Sequence, residues 1–172
     1  MATASDQELW ATVVAAHREL HRVQADFHQN AQDRVDVLRA ALGQHSWDQT
    51  TALRYLDVFS HDTLALLPEL VDLVVSDRTH GWACEAISHL PIGTLMPALK
   101  PIIAERLDRE DVYEYQCLGS LLGRIQAWDL LTGLVQRAMH SKDPAILESG
   151  RSLQSHYPIL RGQHEPHAEP NP

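Results

Sequence analysis

The sequence predicts an all-α protein, a short right-handed solenoid of about four helical hairpins preceded by one long N-terminal helix. Apolar residues recur at steps of three and four along nearly every segment, and no segment alternates as a strand does. Two similar stretches, LLPEL at 66–70 and LMPAL at 95–99, lie 29 residues apart and each places a proline between leucines. A short sequence motif that recurs at such an offset indicates a structural repeat of about 30 residues.

The first predicted helix spans residues 6–29. Ser5 or Asp6 can cap its N-terminus. The sequence leaves open whether this helix covers one end of the stack or pairs with another chain. Its apolar stripe advances by alternating steps of four and three and comprises Leu9, Val13, Ala16, Leu20, Val23 and Phe27.

The hairpins are predicted within residues 33–157. The first hairpin helix should end at Gly43, expected to be a left-handed terminator. Ser46 should open the next helix, with Gln49 completing a capping box. Ser60 should cap the helix that follows. The later helices are predicted over about 61–75, 82–90, 95–107, 112–125, 128–139 and 144–157.

Residues 1–157 therefore form one predicted domain, since 172 residues is an ordinary length for a single domain. The tail at 158–172 contains four prolines and shows no hydrophobic periodicity. Such a composition favours disorder.

Small residues strengthen the evidence for the repeat, because Cys84 and Ala86 have counterparts 33 positions later in Cys117 and Gly119.

Residues 33–157 resemble the HEAT-repeat family of armadillo-type helical-repeat proteins. The stretches LLPELVDLVVSD and LMPALKPIIAERLD carry the resemblance. It implies hairpins whose first helix is bent by proline and whose second helix lines a concave surface. Armadillo-like or generic hairpin stacking is an alternative at this point.

The formal net charge is −9, which argues against nucleic acid as the main partner because such binding needs a basic footprint. No apolar run is long enough to span a membrane. The two cysteines stand apart, so we expect reduced thiols and a cytoplasmic protein. Arginine accounts for 12 of the 14 basic residues, which hints at a bacterial source.

Motifs of catalysis are missing from the sequence: it contains no phosphate-binding glycine loop and no nucleophile elbow, and we expect no cofactor. His17 and His21 stand four positions apart on one helix face and could share a metal. No third ligand is evident, so a structural role beside the apolar stripe is favoured.

The candidate binding residues are side chains offset from the predicted buried faces of two helices. Trp82, Glu85 and His89 share one helix face, and Tyr113 and Gln116 lie on the next second helix. In a stacked solenoid the two sets would be neighbours, and aromatics mixed with polar groups are typical of protein interfaces. The alternative is that Trp82 and Tyr113 cover the edges of the core.

These observations predict a non-enzymatic protein–protein interaction module with a concave acidic surface. Its partner would be another protein. The specific form of this expectation is a basic partner that the chain neutralises as an immunity protein or antitoxin does. The alternative is an enzyme similar to the lyases or glycosylases built on HEAT-like folds. A glycosylase would need a basic groove, whereas a lyase or small-molecule site could use a pocket around Trp82, Glu85 and His89.

Overall fold

The computed structural model describes residues 5–45 and 47–160, and within these ranges the protein is all-α, as predicted, with no strand. Two 3-10 segments, Ser60–Leu66 and Pro158–Leu160, accompany the α-helices. Among the described residues, no helix combines the length and apolar character needed to cross a membrane. The helices are α1 Asp6–Asn30, α2 Arg34–Leu42, α3 Trp47–Val58, α4 Leu67–Val74, α5 His80–Ser88, α6 Ile92–Leu107, α7 Val112–Arg124, α8 Trp128–Met139 and α9 Pro144–His156.

Helices that follow one another in the chain pack in pairs: α2 with α3, α4 with α5, α6 with α7, and α8 with α9. Across these pairs, α3, α5, α7 and α9 contact one another in series, and α2, α4 and α6 do the same. The apolar faces meet between the two rows. The most deeply buried large side chains include Leu56, Leu70, Ile87, Leu99, Tyr115, Leu118 and Leu121.

Glycines allow close approach around α9. A Cβ at Gly119 of α7 would lie 2.6 Å from both methyl carbons of Leu153. One at Gly150 would lie 2.8 Å from the Cβ of Ala138 in α8. Gly119, one of the small residues of the sequence repeat, therefore lies where α7 and α9 approach each other closely.

The two proline stretches adopt different structures. Pro68 lies in the first turn of α4, where a missing N–H costs little, and the segment before it is the 3-10 helix Ser60–Leu66. The continuous helix expected over about 61–75 is therefore wrong. Pro97 and Pro101, in contrast, lie inside α6. The similar stretches are thus not structurally equivalent, because one opens a helix and the other interrupts the hydrogen bonding of one.

The structure agrees with only some of the helix caps and terminators predicted from the sequence. Ser5 caps α1 in a full capping box, and its N–H donates to the Glu8 carboxylate at 2.7 Å. Gly43 is right-handed, with φ −74°, so the expected left-handed terminator is wrong. Ser46 lies outside the described residues. The Gln49 amide is buried and donates instead to the Leu42 carbonyl at 2.7 Å, which ties α3 to the end of α2.

The helical structure continues past the expected boundary at residue 157. Pro158–Leu160 forms a 3-10 turn, and Leu160 is buried in the core. The tail predicted as disordered therefore starts too early at 158. Its remaining residues, 161–172, lie outside the described part of the chain.

The long helix α1 contacts the rest of the fold through its C-terminal end. The ring of Phe27 packs edge-on against Tyr55, with centroids 5.3 Å apart. Arg34 donates to the carbonyl of His28 at 2.6 Å and forms a bidentate ion pair with buried Asp62. The Arg34 guanidinium holds the pKa of the Asp62 carboxyl below its usual value. The rest of α1 extends away from this anchor, and no residue of the helix is buried.

Candidate functional site

One exposed patch combines side chains of α3, α5 and α7. At one edge of the patch the guanidinium of Arg54 lies 5.2 Å from the centroid of the Trp82 ring, within range of a cation–π interaction. Trp82 nevertheless keeps 42% of its surface exposed. An exposed indole held in place by a neighbouring charge offers a partner a large, rigid apolar surface.

Ion pairs occupy the other edge of the patch. His89 Nε2 lies 2.8 Å from a carboxylate oxygen of Asp57 in α3 and 4.0 Å from one of Glu85. The second oxygen of Glu85 accepts from the guanidinium of Arg124 at the end of α7. Glu85 and His89 share a face because they are four residues apart on α5. Asp57 and Arg124 come from helices distant in sequence, so sequence analysis missed both.

A small cavity lies at the centre of this patch. It encloses about 190 Å³, below the range of about 300–1,000 Å³ typical of small-molecule sites. Its walls combine one aromatic residue, one aliphatic residue and three charged residues. They are Trp82, Leu53, Arg54, Asp57 and Glu85.

The structure does not bring Tyr113 and Gln116 into this patch. The hydroxyl of Tyr113 donates to the Asp77 carboxylate, and this hydrogen bond raises the pKa of the phenol above its ordinary value. Gln116 donates to the hydroxyl of Ser149 in α9 at 3.2 Å. Tyr113 is therefore tied to the turn that contains Asp77, and Gln116 to α9. Tyr113 stays partly exposed beside the turn between α4 and α5.

Metal binding has one geometric candidate in the described part of the chain. Asp57, Glu85 and His89 each offer one ligand atom, and these atoms lie within 4.8 Å of one another. Hydrogen bonds and the Arg124 ion pair already satisfy these groups. His17 and His21 stack edge-on with ring centroids 4.9 Å apart, and no third metal-binding side chain joins them among the described residues.

The two cysteines are free and buried. Burial raises the pKa of the Cys84 thiol to about 11, and burial likewise raises the pKa of Cys117. Because the thiolate is the nucleophile, these sites do not suit covalent catalysis at neutral pH. One histidine lies near Cys84: the Nε2 of His80 is 3.7 Å from the sulfur.

A second surface lies at the base of α1, where the helix departs from α2 and α3. A groove of about 560 Å³ opens there, lined mainly by apolar side chains. The sequence predicted the stripe on α1 but not the groove beside it. Its apolar walls include Leu20, Val23, Phe27, Val37, Leu38, Ala41, Ala52 and Tyr55.

Comparison with known proteins gives no significant match to a family model, a curated protein or a solved structure. The two surfaces are therefore interpreted from their own geometry.

Proposed function

We propose that this chain is a non-enzymatic protein–protein interaction module, built as a short right-handed solenoid of the HEAT or armadillo type. The order of helix contacts supports this architecture. The helices α3, α5, α7 and α9 begin at residues 47, 80, 112 and 144, so successive members start 32 or 33 residues apart. Elements repeated at this spacing and packed in series create the extended binding surface of a repeat protein.

The observation that carries the proposal is the exposed Trp82 held against Arg54 beside the Asp57, Glu85 and His89 cluster. Tryptophan and arginine are the residues most enriched among those that dominate binding energy at protein interfaces. Charged groups around them form the polar rim of such an interface. Contacts between helices fix these side chains before binding, so a partner would meet a preorganised surface.

The partner we propose is a basic protein, and neutralisation of such a partner, as by an immunity protein or antitoxin, is the specific form of the proposal. The net charge of −9 favours the approach of a basic molecule through long-range attraction. The Trp82 patch itself is balanced, since Arg54 and Arg124 face Asp57 and Glu85. The net negative charge would therefore speed association with the partner, and the contacts of the patch would determine which partner binds. A cytoplasmic setting belongs to the same proposal.

The enzyme alternative fits the geometry less well. An acid or base must be available to a substrate, but Glu85 is paired with Arg124 and His89 with Asp57. The cavity of about 190 Å³ beside them is also small for a substrate pocket. A protein partner needs no such cavity.

The test is affinity capture from the native lysate followed by binding measurements with the purified protein that is captured. Trp82→Ala should weaken its affinity by roughly 30-fold or more, the effect of losing a dominant interface side chain. Trp47→Ala is the matched control, because Trp47 is also an exposed tryptophan, at the start of α3. Its binding should equal that of the wild type.

The role of charge is tested in the same assay. If the partner is basic, its association rate should fall as salt is raised, because salt screens attraction over distances longer than about 10 Å. The interaction proposal fails if the wild type retains no protein. It fails equally if the Trp82→Ala variant binds every retained protein as tightly as the wild type does.

A further inference from the structure

The first half of α1 exposes an apolar stripe that nothing in the described chain covers. Soluble proteins normally bury the apolar face of an amphipathic helix, so a bare one marks an interaction surface. The five large apolar side chains between 42% and 66% exposed on this helix are Leu9, Trp10, Val13, Leu20 and Val23.

The spacing of this stripe is that of a coiled coil. From Leu9 to Phe27 the apolar positions advance by four, three, four, three and four residues, so that two sets recur every seven residues: Leu9, Ala16 and Val23, and Val13, Leu20 and Phe27. A helix that packs into the core of its own globular domain follows a period near 3.6, whereas a strict seven-residue repeat keeps the stripe facing one partner helix. The occupant of this seam should therefore be another long helix.

We propose that the occupant is α1 of a second copy of this chain, packed antiparallel in a two-stranded coiled coil. The positions of the stripe are symmetric about residue 18, so reversing the helix returns the same pattern. In the antiparallel pair each seam residue packs against a seam residue of a different number in the second copy, and both residues of every such pair are apolar. The facing pairs are Leu9 with Phe27, Val13 with Val23, and Ala16 with Leu20.

The groove at the base of α1 favours this antiparallel arrangement. It flanks Leu20, Val23 and Phe27, the second half of the seam. In the antiparallel register the first half of the second copy, with Leu9 and Val13, runs along that groove and fills it. A parallel pair would instead bring the two folded bodies together at the same end, because each body is attached at the C-terminal end of α1.

Charge favours a second copy over a basic protein at this site. The helix α1 carries four acidic residues and two arginines, so it contributes −2 to the net charge of −9. Near the symmetry axis the Glu19 carboxylate is already bound by Arg22 at 2.7 Å. The flanks of the seam are thus nearly neutral, so two copies of α1 can pack together without strong charge repulsion. A basic partner would be attracted only weakly at this site.

The length of α1 determines how much area the proposed pairing can bury. A specific interface needs about 1,000 Å² of total buried area. A 25-residue helix is roughly 37 Å long, so α1 presents its stripe over several turns. Pairing covers four large exposed apolar side chains of the seam, Leu9, Val13, Leu20 and Val23, and one groove on each copy.

The first experiment measures the mass of the purified full chain by sedimentation equilibrium. The wild type should behave as a dimer of two 19.3 kDa chains. Val13→Glu puts a charge in the seam and should weaken dimerisation by about 100-fold or more, the penalty of burying an unpaired charge. Because Val13 is exposed in the single chain, helicity and thermal unfolding measured under monomeric conditions should not change.

The matched control is Val14→Glu, the same substitution about 100° around the helix and away from the seam. This variant should stay dimeric. The proposal is overturned if the wild type is monomeric up to about 100 μM, where an interface of this size should associate. It is also overturned if Val13→Glu leaves the dimer intact, or if the seam binds a different protein while the chain stays monomeric.

Orientation is tested by disulfide formation between variants that each carry one added cysteine in the seam. A mixture of Ala16→Cys and Leu20→Cys proteins should form a mixed disulfide, because these positions face each other only in the antiparallel pair. The native cysteines are buried and do not compete. A homodisulfide of Ala16→Cys alone would indicate a parallel pair and overturn the proposal. Trp82→Ala should remain dimeric, so this inference and the proposed partner-binding function can fail independently.

Discussion

The ring of Tyr157 lies against the Cα of Gly123, in the space that a Cβ at position 123 would fill. Tyr157 ends α9 and also packs edge-on against Trp128, with ring centroids 6.1 Å apart. This single contact joins the last turn of α7 to the end of the final hairpin. It explains why a glycine stands near the end of α7.

Replacing this glycine should destabilise the fold. Gly123→Ala forces the Tyr157 ring out of its place, and we expect a loss of about 1–3 kcal/mol in the free energy of unfolding, the cost of overpacking a core. The measurement is urea unfolding followed by circular dichroism. Gly133→Ala is the control, since Gly133 lies in helix α8 with open space around it. That variant should gain about 0.5–1 kcal/mol from its better helix propensity. Equal effects of both substitutions would contradict the close contact.

Two buried threonines should respond oppositely to the same substitution. The Thr63 hydroxyl is fully buried and has no hydrogen-bond partner in the described structure, whereas the Thr79 hydroxyl donates to the Leu73 carbonyl at 2.8 Å. Thr63→Val removes an unsatisfied group and should raise the free energy of unfolding by about 1 kcal/mol. Thr79→Val should lower it by about as much. Equilibrium unfolding in urea gives both values, and a shared sign would refute the assignment of these hydrogen bonds.

The ion pair between Arg34 and Asp62 should make stability sensitive to acid. Because Arg34 lowers the pKa of Asp62 in the folded state, the ion pair stabilises the fold above the unfolded-state pKa of this carboxyl. This stability is lost as the pH falls through the lower folded pKa, from about pH 5 downwards. The Asp62→Asn variant should therefore have a lower free energy of unfolding than the wild type at pH 7. On acidification this free energy should fall by less than that of the wild type.

The control for acid sensitivity is Asp36→Asn. Asp36 pairs with Arg39 on the surface and is largely exposed. Exposed pairs contribute little to stability, so this variant should follow the wild-type profile of unfolding free energy against pH. A profile for Asp62→Asn that parallels the wild type would show that the ion pair does not control the acid response.

The buried thiols should be unreactive in the folded protein. Cys84 has a pKa raised to about 11, so almost none of it is thiolate between pH 7 and pH 9. Reaction with a thiol reagent such as Ellman's reagent should be slow in buffer and complete for both cysteines in denaturant. At every pH from 7 to 9 the native reaction should stay much slower than that of a free thiol, although both reactions accelerate as the thiolate fraction rises with pH. Fast labelling of the native protein would show that these helices open readily.

Periodicity identified the helices of this protein well, because apolar residues at steps of three and four can be read without knowing what they contact. It did not identify the 3-10 segment Ser60–Leu66, since Leu64 and Leu66 lead directly into the apolar helix that follows. The right-handed Gly43 was likewise missed, because the geometry of a glycine depends on the chain path around it. For the candidate site, sequence spacing paired Glu85 with His89, but it could not supply Asp57 or Arg124.

The sequence by itself determined the helical class, the apolar stripe of α1, a cap for that helix at Ser5 or Asp6, and the excess of negative charge. These properties depend on neighbours within about two turns of a helix or on composition alone. Only the tertiary structure decided that Tyr113 binds Asp77 rather than joining Trp82, and that the α1 stripe stays uncovered over its first half. Such contacts depend on the relative positions of helices far apart in the chain, and local periodicity does not encode those positions.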